Sequence, residues 1–220
     1  ASPKHVIPEP ATMLLFGVTG GIGCGKTAVC KILKEKGVPI LEADPLAKEL
    51  TNRLPEIRQA LILEFGKDVY GQDGKLNKDF LSQIVFSNPE AREKVNQIIH
   101  PHVLNWINEE AKRLHTDENQ KLVGVEAALI YESKMDRMLD AVVVVSAPLE
   151  KRIKWLQKRN NVSGEEILKR IDSQMPLAEK VKRADYVIEN DGSLSDLEKK
   201  VDLLYKWLQK QQMKSSAEEK

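Results

Sequence analysis

The stretch that decides the fold of this chain is glycine-rich and lies near its start: Gly20-Gly21-Ile22-Gly23-Cys24-Gly25-Lys26-Thr27. It satisfies every fixed position of the phosphate-binding pattern Gly-x4-Gly-Lys-Ser/Thr. Glycines let consecutive backbone N–H groups turn toward phosphate oxygens, while the helix that follows points its positive end at the same anion. Lys26 supplies a charge to the β- and γ-phosphates, and Thr27 offers a hydroxyl to Mg²⁺. The stretch therefore predicts a site for a nucleoside triphosphate and Mg²⁺.

The segments around this stretch come in the order that the pattern requires. Residues 13–18 form a continuous apolar run, typical of a strand buried on both faces. Residues 26–36 have helical spacing up to Gly37, a natural helix stop, and residues 38–41 predict a second strand. Because strand, helix and strand follow one another within about thirty residues, as in a βαβ unit, we expect the two strands to be parallel.

The rest of the chain alternates between a long helical region and short strands. Residues 45–114 have a helical pattern, interrupted at 66–77, and predict about four helices without a buried strand. Further strands are predicted at 121–125, 141–145 and 186–188, and helices at 149–160, 163–173 and 195–212. The fold class is α/β, and the helical insertion is a natural place for a lobe that binds an acceptor substrate.

The composition excludes several classes of function. Lys and Arg number 34 against 33 for Asp and Glu, a formal charge of +1, so no global charge attracts nucleic acid or an anionic membrane. No stretch is long and apolar enough to span a bilayer. The two cysteines, Cys24 and Cys30, offer no disulfide framework and favour a reducing, cytoplasmic setting. We expect residues 1–12 to be a disordered lead or tag remnant, with Met13 a candidate native start.

Acidic side chains follow two of the predicted strands. Ligands in open α/β sheets collect beyond the carboxyl ends of the strands. Asp44, which follows the second strand together with Glu42, is therefore the candidate base that receives a proton from a substrate hydroxyl. Glu126, after the third strand, could hold a Mg²⁺-bound water or an acceptor hydroxyl. Each acid could instead be a solvated loop residue, and for Glu126 the two interpretations carry equal weight.

The chain contains several short segments that together are typical of one protein family. Thr19 precedes the glycine-rich stretch, and a helix then leads to Glu42-Ala43-Asp44. The later segments are His100-Pro101, Ala128-Leu129-Ile130-Tyr131-Glu132, Gln174-Met175-Pro176 and Ala184-Asp185-Tyr186-Val187-Ile188-Glu189-Asn190. In these segments the chain resembles the dephospho-CoA kinases over nearly all of residues 14–208. The family's usual triplet is Asp-Ala-Asp and its usual Pro-Leu-Leu-Phe-Glu is looser here, so the match departs from the pattern at Glu42 and at 128–131.

The resemblance implies a P-loop kinase built as a three-layer sandwich around a five-stranded parallel sheet. A single domain would span residues 13–212, with its core in 13–44, 121–148 and 184–212. A helical lobe that binds coenzyme A would occupy residues 45–120, and a mobile lid residues 149–183. Residues 213–220 would be a polar, frayed tail.

The resemblance also implies a reaction, the transfer of the ATP γ-phosphate to the 3′-hydroxyl of dephospho-CoA. This is the last step of coenzyme A biosynthesis. Asp44 would be the base, and the catalytic cations would be Lys26 and two lid arginines, Arg152 and Arg159, which lie on one helix face. The family commonly carries an arginine where this chain has Trp155, so Arg152 either replaces it or one phosphate contact is missing.

Binding residues follow from the same resemblance and from the pattern of the loop. Nucleotide contacts are expected from Gly20, Gly21, Ile22, Gly23, Cys24, Gly25, Lys26, Thr27, Ala28 and Asn190. Ala28 stands where many such loops have a second hydroxyl, which predicts one contact fewer. Acceptor contacts are expected from Asp44, Glu126 and His100, although His100 could equally be a satisfied buried histidine. For Trp106 and Trp207 the default expectation is core packing.

Two other functions stay open. A P-loop kinase acting on a nucleoside or nucleotide would share the core and differ in the acceptor lobe. A GTP-binding switch would need an Asn-Lys-x-Asp motif at a strand end, and after Val145 the chain has Ser146-Ala147-Pro148 instead. The expected partner is a small molecule, dephospho-CoA, rather than nucleic acid or a membrane, and the expected state is a monomer or weak homo-oligomer.

Overall fold

The computed structural model describes residues 12–218, except for the side chain of residue 160. Apart from Thr12, the predicted lead lies outside the described residues. The strands are β1 (Leu14–Gly20), β2 (Ile40–Glu42), β3 (Leu122–Glu126), β4 (Ala141–Ser146) and β5 (Tyr186–Glu189). They pair in parallel in the order β2-β3-β1-β4-β5. The predicted five-stranded parallel sheet is confirmed.

The described residues form nine α-helices around this sheet. They are α1 (Lys26–Glu35), α2 (Ala43–Arg53), α3 (Pro55–Phe65), α4 (Lys78–Phe86), α5 (Pro89–Glu118), α6 (Leu149–Asn160), α7 (Gly164–Asp172), α8 (Leu177–Arg183) and α9 (Leu194–Glu218). Short 3-10 turns lie at Lys67–Val69 and Met135–Met138. None of the described helices is long and apolar enough to cross a bilayer.

Side chains of the central strands alternate between two hydrophobic clusters. Phe16 and Val143 pack on the side covered by α1 and α9, while Leu15 and Val144 pack on the side covered by α2 and α5. Successive residues of a strand point to opposite faces, so a strand with helices on both sides is apolar throughout. This explains the unbroken apolar runs in the sequence and confirms the three-layer sandwich.

The helical insertion has a small core of its own. This core lies between α3, α4 and the first half of α5, and its buried residues are Ile57, Leu61, Val69, Tyr70 and Leu81. The second half of α5 packs instead on the sheet, so this one helix joins the lobe to the core. The four predicted helices between 45 and 114 correspond to α2–α5, and α5 continues to Glu118.

Three expectations about single elements differ from the structure. The terminal helix does not end at Gln212 but continues to Glu218, because no helix breaker follows and the residues are good helix formers. Helix α8 was not predicted from the sequence. The core-packing expectation was wrong for Trp106, which is 39% exposed on α5. Trp207 does pack against the core, with its ring 5.1 Å from that of Tyr186.

Candidate active site

The glycine-rich turn between β1 and α1, residues Gly20–Thr27, is called the phosphate loop below. Gly23 and Gly25 have φ angles of +76° and +91°, in the left-handed region that side chains rarely adopt. Gly25 is the residue from which α1 begins. A Cβ atom on Gly20 would lie 2.3 Å from the carbonyl oxygen of Val145. The glycines of the motif are therefore required both by backbone conformation and by close packing against β4.

Two buried side chains hold the phosphate loop from outside it. Arg152 on α6 is 5% exposed, and its Nε donates a hydrogen bond of 2.9 Å to the carbonyl oxygen of Ile22. Asn190, after β5, is 8% exposed, and its Nδ2 donates one of 3.0 Å to the carbonyl oxygen of Cys24. Because both bonds engage carbonyl oxygens, neither of them uses an N–H group of the loop that could face an anion. Within the loop, the N–H of Cys24 donates to the carbonyl oxygen of Gly21 at 3.1 Å.

A cavity of about 610 Å³ lies beside the phosphate loop. Its lining includes Lys26, Thr27 and Ala28 from α1, Trp155, Leu156 and Arg159 from α6, and Asn190, Gly192, Ser193 and Leu194 from the segment after β5. With Gly23 and Gly25 of the loop, seven residues predicted to act on the nucleotide line this one cavity. The Gly192–Leu194 wall was missed, although a Gly-Ser pair after the carboxyl end of a predicted strand is a signal that could have found it.

Arginines of α6 take two different positions around the cavity. The exposed Arg159 lines it, whereas the buried Arg152 does not, since its guanidinium lies against the backbone of the phosphate loop. A Cβ atom on Gly21 would lie 2.4 Å from Nη2 of Arg152. Trp155, which stands where the resemblance leads one to expect an arginine, lines the cavity and is 37% exposed.

The carboxyl ends of β1, β3 and β2 lie side by side. Strand register places Glu126 between Val18 on one side and Glu42 on the other. The Thr27 hydroxyl donates a hydrogen bond of 3.4 Å to Oε1 of Glu126. Burial, followed by the charge of Glu126, raises the pKa of the nearby Cys30 thiol. Glu126 therefore contacts the phosphate loop through Thr27.

This edge fits a Mg²⁺ ion that is held mainly by phosphates. No group of three or more His, Cys, Asp or Glu side chains that could hold a metal occurs within residues 12–218. The hydroxyl of Thr27 and the carboxylate of Glu126 offer oxygen ligands 3.4 Å apart beside the cavity. Mg²⁺ typically takes only one or two protein oxygens and completes its shell with substrate phosphates and water.

The acids of the Glu42-Ala43-Asp44 triplet have different environments. Glu42 pairs with Lys34 at 3.8 Å, on the α1 side of its strand. Asp44 lies in the first turn of α2, with an exposed carboxylate that has no hydrogen-bond or ion-pair partner among the described residues. The buried Ala43 fixes the start of α2 against the sheet. Of the two acids, Asp44 is the one left available to an incoming hydroxyl.

The dephospho-CoA kinase family profile matches residues 14–196. This chain belongs to the dephospho-CoA kinase family. Among relatives, the dephospho-CoA kinases of Salinibacter ruber and Bacillus cereus are 41% and 37% identical to it over 193 residues, which cover 88% of this chain and 96% of each relative.

Solved structures give the same assignment at the level of the fold. A Thermus thermophilus protein superposes with a TM-score of 0.76 at 35% identity, covering 90% of this chain and 98% of that one. The dephospho-CoA kinase from Campylobacter jejuni gives a TM-score of 0.65 at 29% identity, over 87% of this chain and 95% of its own. The likeness therefore extends well beyond the residues around the phosphate loop.

His100 lies in the middle of α5. The sequence predicted that it contacts the acceptor substrate. Its ring is half-buried, and burial lowers the pKa of His100 while Glu93 acts in the opposite direction. His100 does not line the nucleotide cavity. Both sequence interpretations, an acceptor contact and a satisfied buried histidine, remain compatible with this position.

A buried lysine that the sequence did not single out connects the lid to the phosphate loop strand. Lys180 on α8 is fully buried; its Nζ donates to the carbonyl oxygen of Ala128 at 2.9 Å and lies 3.3 Å from a carboxylate oxygen of Glu132. The Thr19 hydroxyl, at the end of β1, donates to the same Ala128 oxygen at 3.1 Å. Glu132 also accepts from the backbone N–H of Met175 at 3.3 Å. We call these five residues the junction.

Proposed function

We propose that this chain transfers the γ-phosphate of ATP to the 3′-hydroxyl of dephospho-CoA, giving ADP and coenzyme A. As a member of the dephospho-CoA kinase family it is an ATP-dependent kinase. The observation that carries the proposal is the juxtaposition, at one edge of the sheet, of a complete phosphate loop with an unpaired carboxylate, Asp44, two strands away. A donor site and an acceptor base at the same edge are what phosphoryl transfer requires.

The donor nucleotide is assigned to the cavity beside the phosphate loop. Backbone N–H groups of the loop bind the β- and γ-phosphates, and Lys26 lies over the transferring group. Arg159 reaches the same cavity from the lid helix α6, and we assign the adenosine to the part lined by Ser193 and Leu194. Asn190 lines the cavity next to the loop, where its Nδ2 donates to the Cys24 carbonyl oxygen. Arg152 acts on the phosphates through the loop, because its guanidinium holds the Ile22 carbonyl.

The metal is assigned to the Thr27–Glu126 pair. Bound Mg²⁺ neutralises charge on the β- and γ-phosphate oxygens. Thr27 would hold it through the hydroxyl, and Glu126 directly or through a water molecule. The hydrogen bond from the Thr27 hydroxyl to Glu126 keeps these two oxygen ligands side by side.

The acceptor reaction is assigned to Asp44. The 3′-oxygen of dephospho-CoA forms a bond to the γ-phosphorus as the bond between that phosphorus and the β–γ bridging oxygen breaks, and ADP leaves. The hydroxyl proton passes to the Asp44 carboxylate. In a loose transition state such a base orients the hydroxyl more than it activates it. The exposed position of Asp44 at the start of α2 suits a carboxylate that acts only when the acceptor is bound.

An acceptor survey tests this function. ADP release is measured with dephospho-CoA, AMP, CMP and shikimate as acceptors, each with ATP and Mg²⁺. We expect turnover with dephospho-CoA alone. Turnover only with a mononucleotide would show that the chain is another P-loop kinase, and tighter equilibrium binding of GTP than of ATP would revive the GTP-switch alternative. Omission of Mg²⁺ should abolish turnover.

We further infer a cytoplasmic location and a monomer or weak homo-oligomer. Both cysteines are free and buried, which suits a reducing compartment. Fractionation of cells and sedimentation velocity of the purified chain test these two statements separately.

A further inference from the structure

A second cavity lies in the acceptor lobe, away from the phosphate loop. Its volume is about 340 Å³, and it is lined by Lys48 and Asn52 from α2, Asp73, Lys75 and Leu76 from the turn before α4, and Lys78 from the start of α4. None of its lysine side chains has a hydrogen-bond or ion-pair partner among the residues that the structure describes. With one carboxylate against three ammonium groups, the lining has an excess of two positive charges.

The turn that carries two of these lysines is fixed to α2. Oδ1 of Asn52 accepts a hydrogen bond of 2.8 Å from the backbone N–H of Leu76. Arg58 donates to the carbonyl oxygens of both Asn52 and Gly74, at 2.9 Å and 2.6 Å, and its guanidinium lies 4.0 Å from the ring centre of Tyr70. These bonds leave the ammonium groups unpaired while they hold the backbone in place. The cavity is therefore a built feature of the lobe.

The cavity and the proposed base lie along one face of α2. Residues four apart on a helix share a face, so Asp44, Lys48 and Asn52 form a row. One such step advances about 6 Å along the helix axis. In dephospho-CoA the ribose that carries the reacting 3′-hydroxyl also carries, on its 5′ carbon, a diphosphate with two negative charges. A hydroxyl held at Asp44 thus puts this diphosphate about one helical turn away.

We propose that the lysine-lined cavity binds the diphosphate of dephospho-CoA, with Lys48 and Lys78 as its main contacts. This inference rests on the proposed function and specifies its acceptor site. The charge excess of the lining matches the charge of the diphosphate diester, and ammonium groups are effective binders of phosphate oxygens. The nucleotide phosphates are not competitors, because the phosphate loop and its own cavity receive them.

Inhibition by two acceptor fragments isolates the diphosphate contribution. ADP-ribose contains the adenosine and the diphosphate, whereas adenosine lacks the diphosphate; both are titrated against dephospho-CoA at saturating ATP. For Lys48→Ala and Lys78→Ala we expect the inhibition constant of ADP-ribose to rise about tenfold, the loss of one charge-assisted hydrogen bond. The inhibition constant of adenosine and the KM for ATP should stay unchanged, while the KM for dephospho-CoA rises with that of ADP-ribose.

Lys67→Ala is the matched control, because Lys67 is an exposed lysine of the same lobe that does not line the cavity. It should behave as wild type, and Lys78→Arg, which keeps the charge, should retain most of the affinity for ADP-ribose. Thermal unfolding of each variant checks its fold. Equal weakening of both fragments, or no difference from the Lys67→Ala control, would overturn the assignment of the cavity. A wild-type chain without turnover of dephospho-CoA would instead refute the proposed function itself.

Discussion

The phosphate loop and the start of α2 supply the two sides of one proposed reaction, yet they are built in opposite ways. In the loop, Cys24 is buried, backbone carbonyl oxygens accept bonds from Arg152 and Asn190, and the glycines leave no room for a Cβ atom. At the start of α2, the side chains of Asp44 and Lys48 are exposed and unpaired among the described residues. The donor side is complete without ligand, and the acceptor side is completed by its substrate.

This difference teaches how the two sides respond to change. A preorganised loop contributes electrostatic stabilisation without reorganisation at the moment of transfer, so loss of its charge acts on the transition state. Exposed side chains on α2 contribute little to the core, so their replacement acts on the acceptor alone. Variants of the loop and of α2 should therefore separate into two kinetic classes with the fold intact in both.

The largest effect is expected on the donor side, from Lys26→Ala. This change removes the charge opposite the transferring phosphoryl group, and kcat/KM should fall by about a thousandfold. Steady-state kinetics with dephospho-CoA and ATP measure it. The control is Lys206→Ala, an exposed lysine on α9 that should retain wild-type activity. A fall of less than about tenfold would contradict the assigned role of Lys26.

On the acceptor side, Asp44→Asn should lower kcat by about a hundredfold, because the amide cannot accept the hydroxyl proton. The affinity for ATP, measured by equilibrium titration, should not change. Glu42→Gln is the matched control within the acid triplet, since Glu42 pairs with Lys34 instead of facing the acceptor. If both variants lose activity equally, the structure does not single out the base and the assignment to Asp44 fails.

The sequence predicted the donor side well because its constraints are local. Few residues other than glycine adopt the left-handed backbone found at Gly23 and Gly25. The motif can therefore be recognised from the sequence without tertiary information. The strands were predicted equally well, because burial on both faces produces unbroken apolar runs. Asp44 was predicted as the base for a related reason: it lies two residues after the end of β2, at the carboxyl edge of the sheet.

The features that the sequence did not reveal depend on contacts between distant segments. Arg152 was expected on the phosphates, and only the fold shows that it binds a carbonyl oxygen of Ile22, 130 residues earlier. Lys180 was not singled out, because nothing local indicates that α8 buries it against Ala128 and Glu132. The lysine-lined cavity likewise forms only when the turn before α4 folds onto α2.

The two arginines of α6 test the comparison within a single helix. Arg159→Ala should lower kcat about tenfold without a change in thermal unfolding, because the exposed guanidinium lines the cavity assigned to the nucleotide and has no hydrogen-bond or ion-pair partner among the described residues. Arg152→Ala should lower the free energy of unfolding by about 1–3 kcal/mol, because the Ile22 carbonyl loses its buried donor. Chemical denaturation and kinetics are measured on both. Equal stability losses in the two variants would contradict the assignment of Arg152 to the phosphate loop and of Arg159 to the substrate.

The smallest effect is expected at the junction, and it appears as a pH dependence of stability. Burial lowers the pKa of Lys180 below its ordinary value of 10.5, with Glu132 opposing the shift. Between the folded and the ordinary pKa the unfolded chain binds more protons than the folded one, so the free energy of unfolding rises with pH across that window. Below the folded pKa the charged ammonium persists in both states and this contribution is constant.

Lys180→Met removes the titrating group while it keeps the volume of the side chain. The free energy of unfolding of wild type minus that of Lys180→Met, from urea denaturation, should rise with pH at alkaline pH below 10.5, because the pKa of Lys180 is lowered in the folded chain. Glu132→Gln removes the charge that opposes the shift, so the same rise should begin at lower pH. A difference that stays constant with pH would show that Lys180 is not desolvated by α8. The junction would then resemble the exposed start of α2 rather than the preorganised phosphate loop.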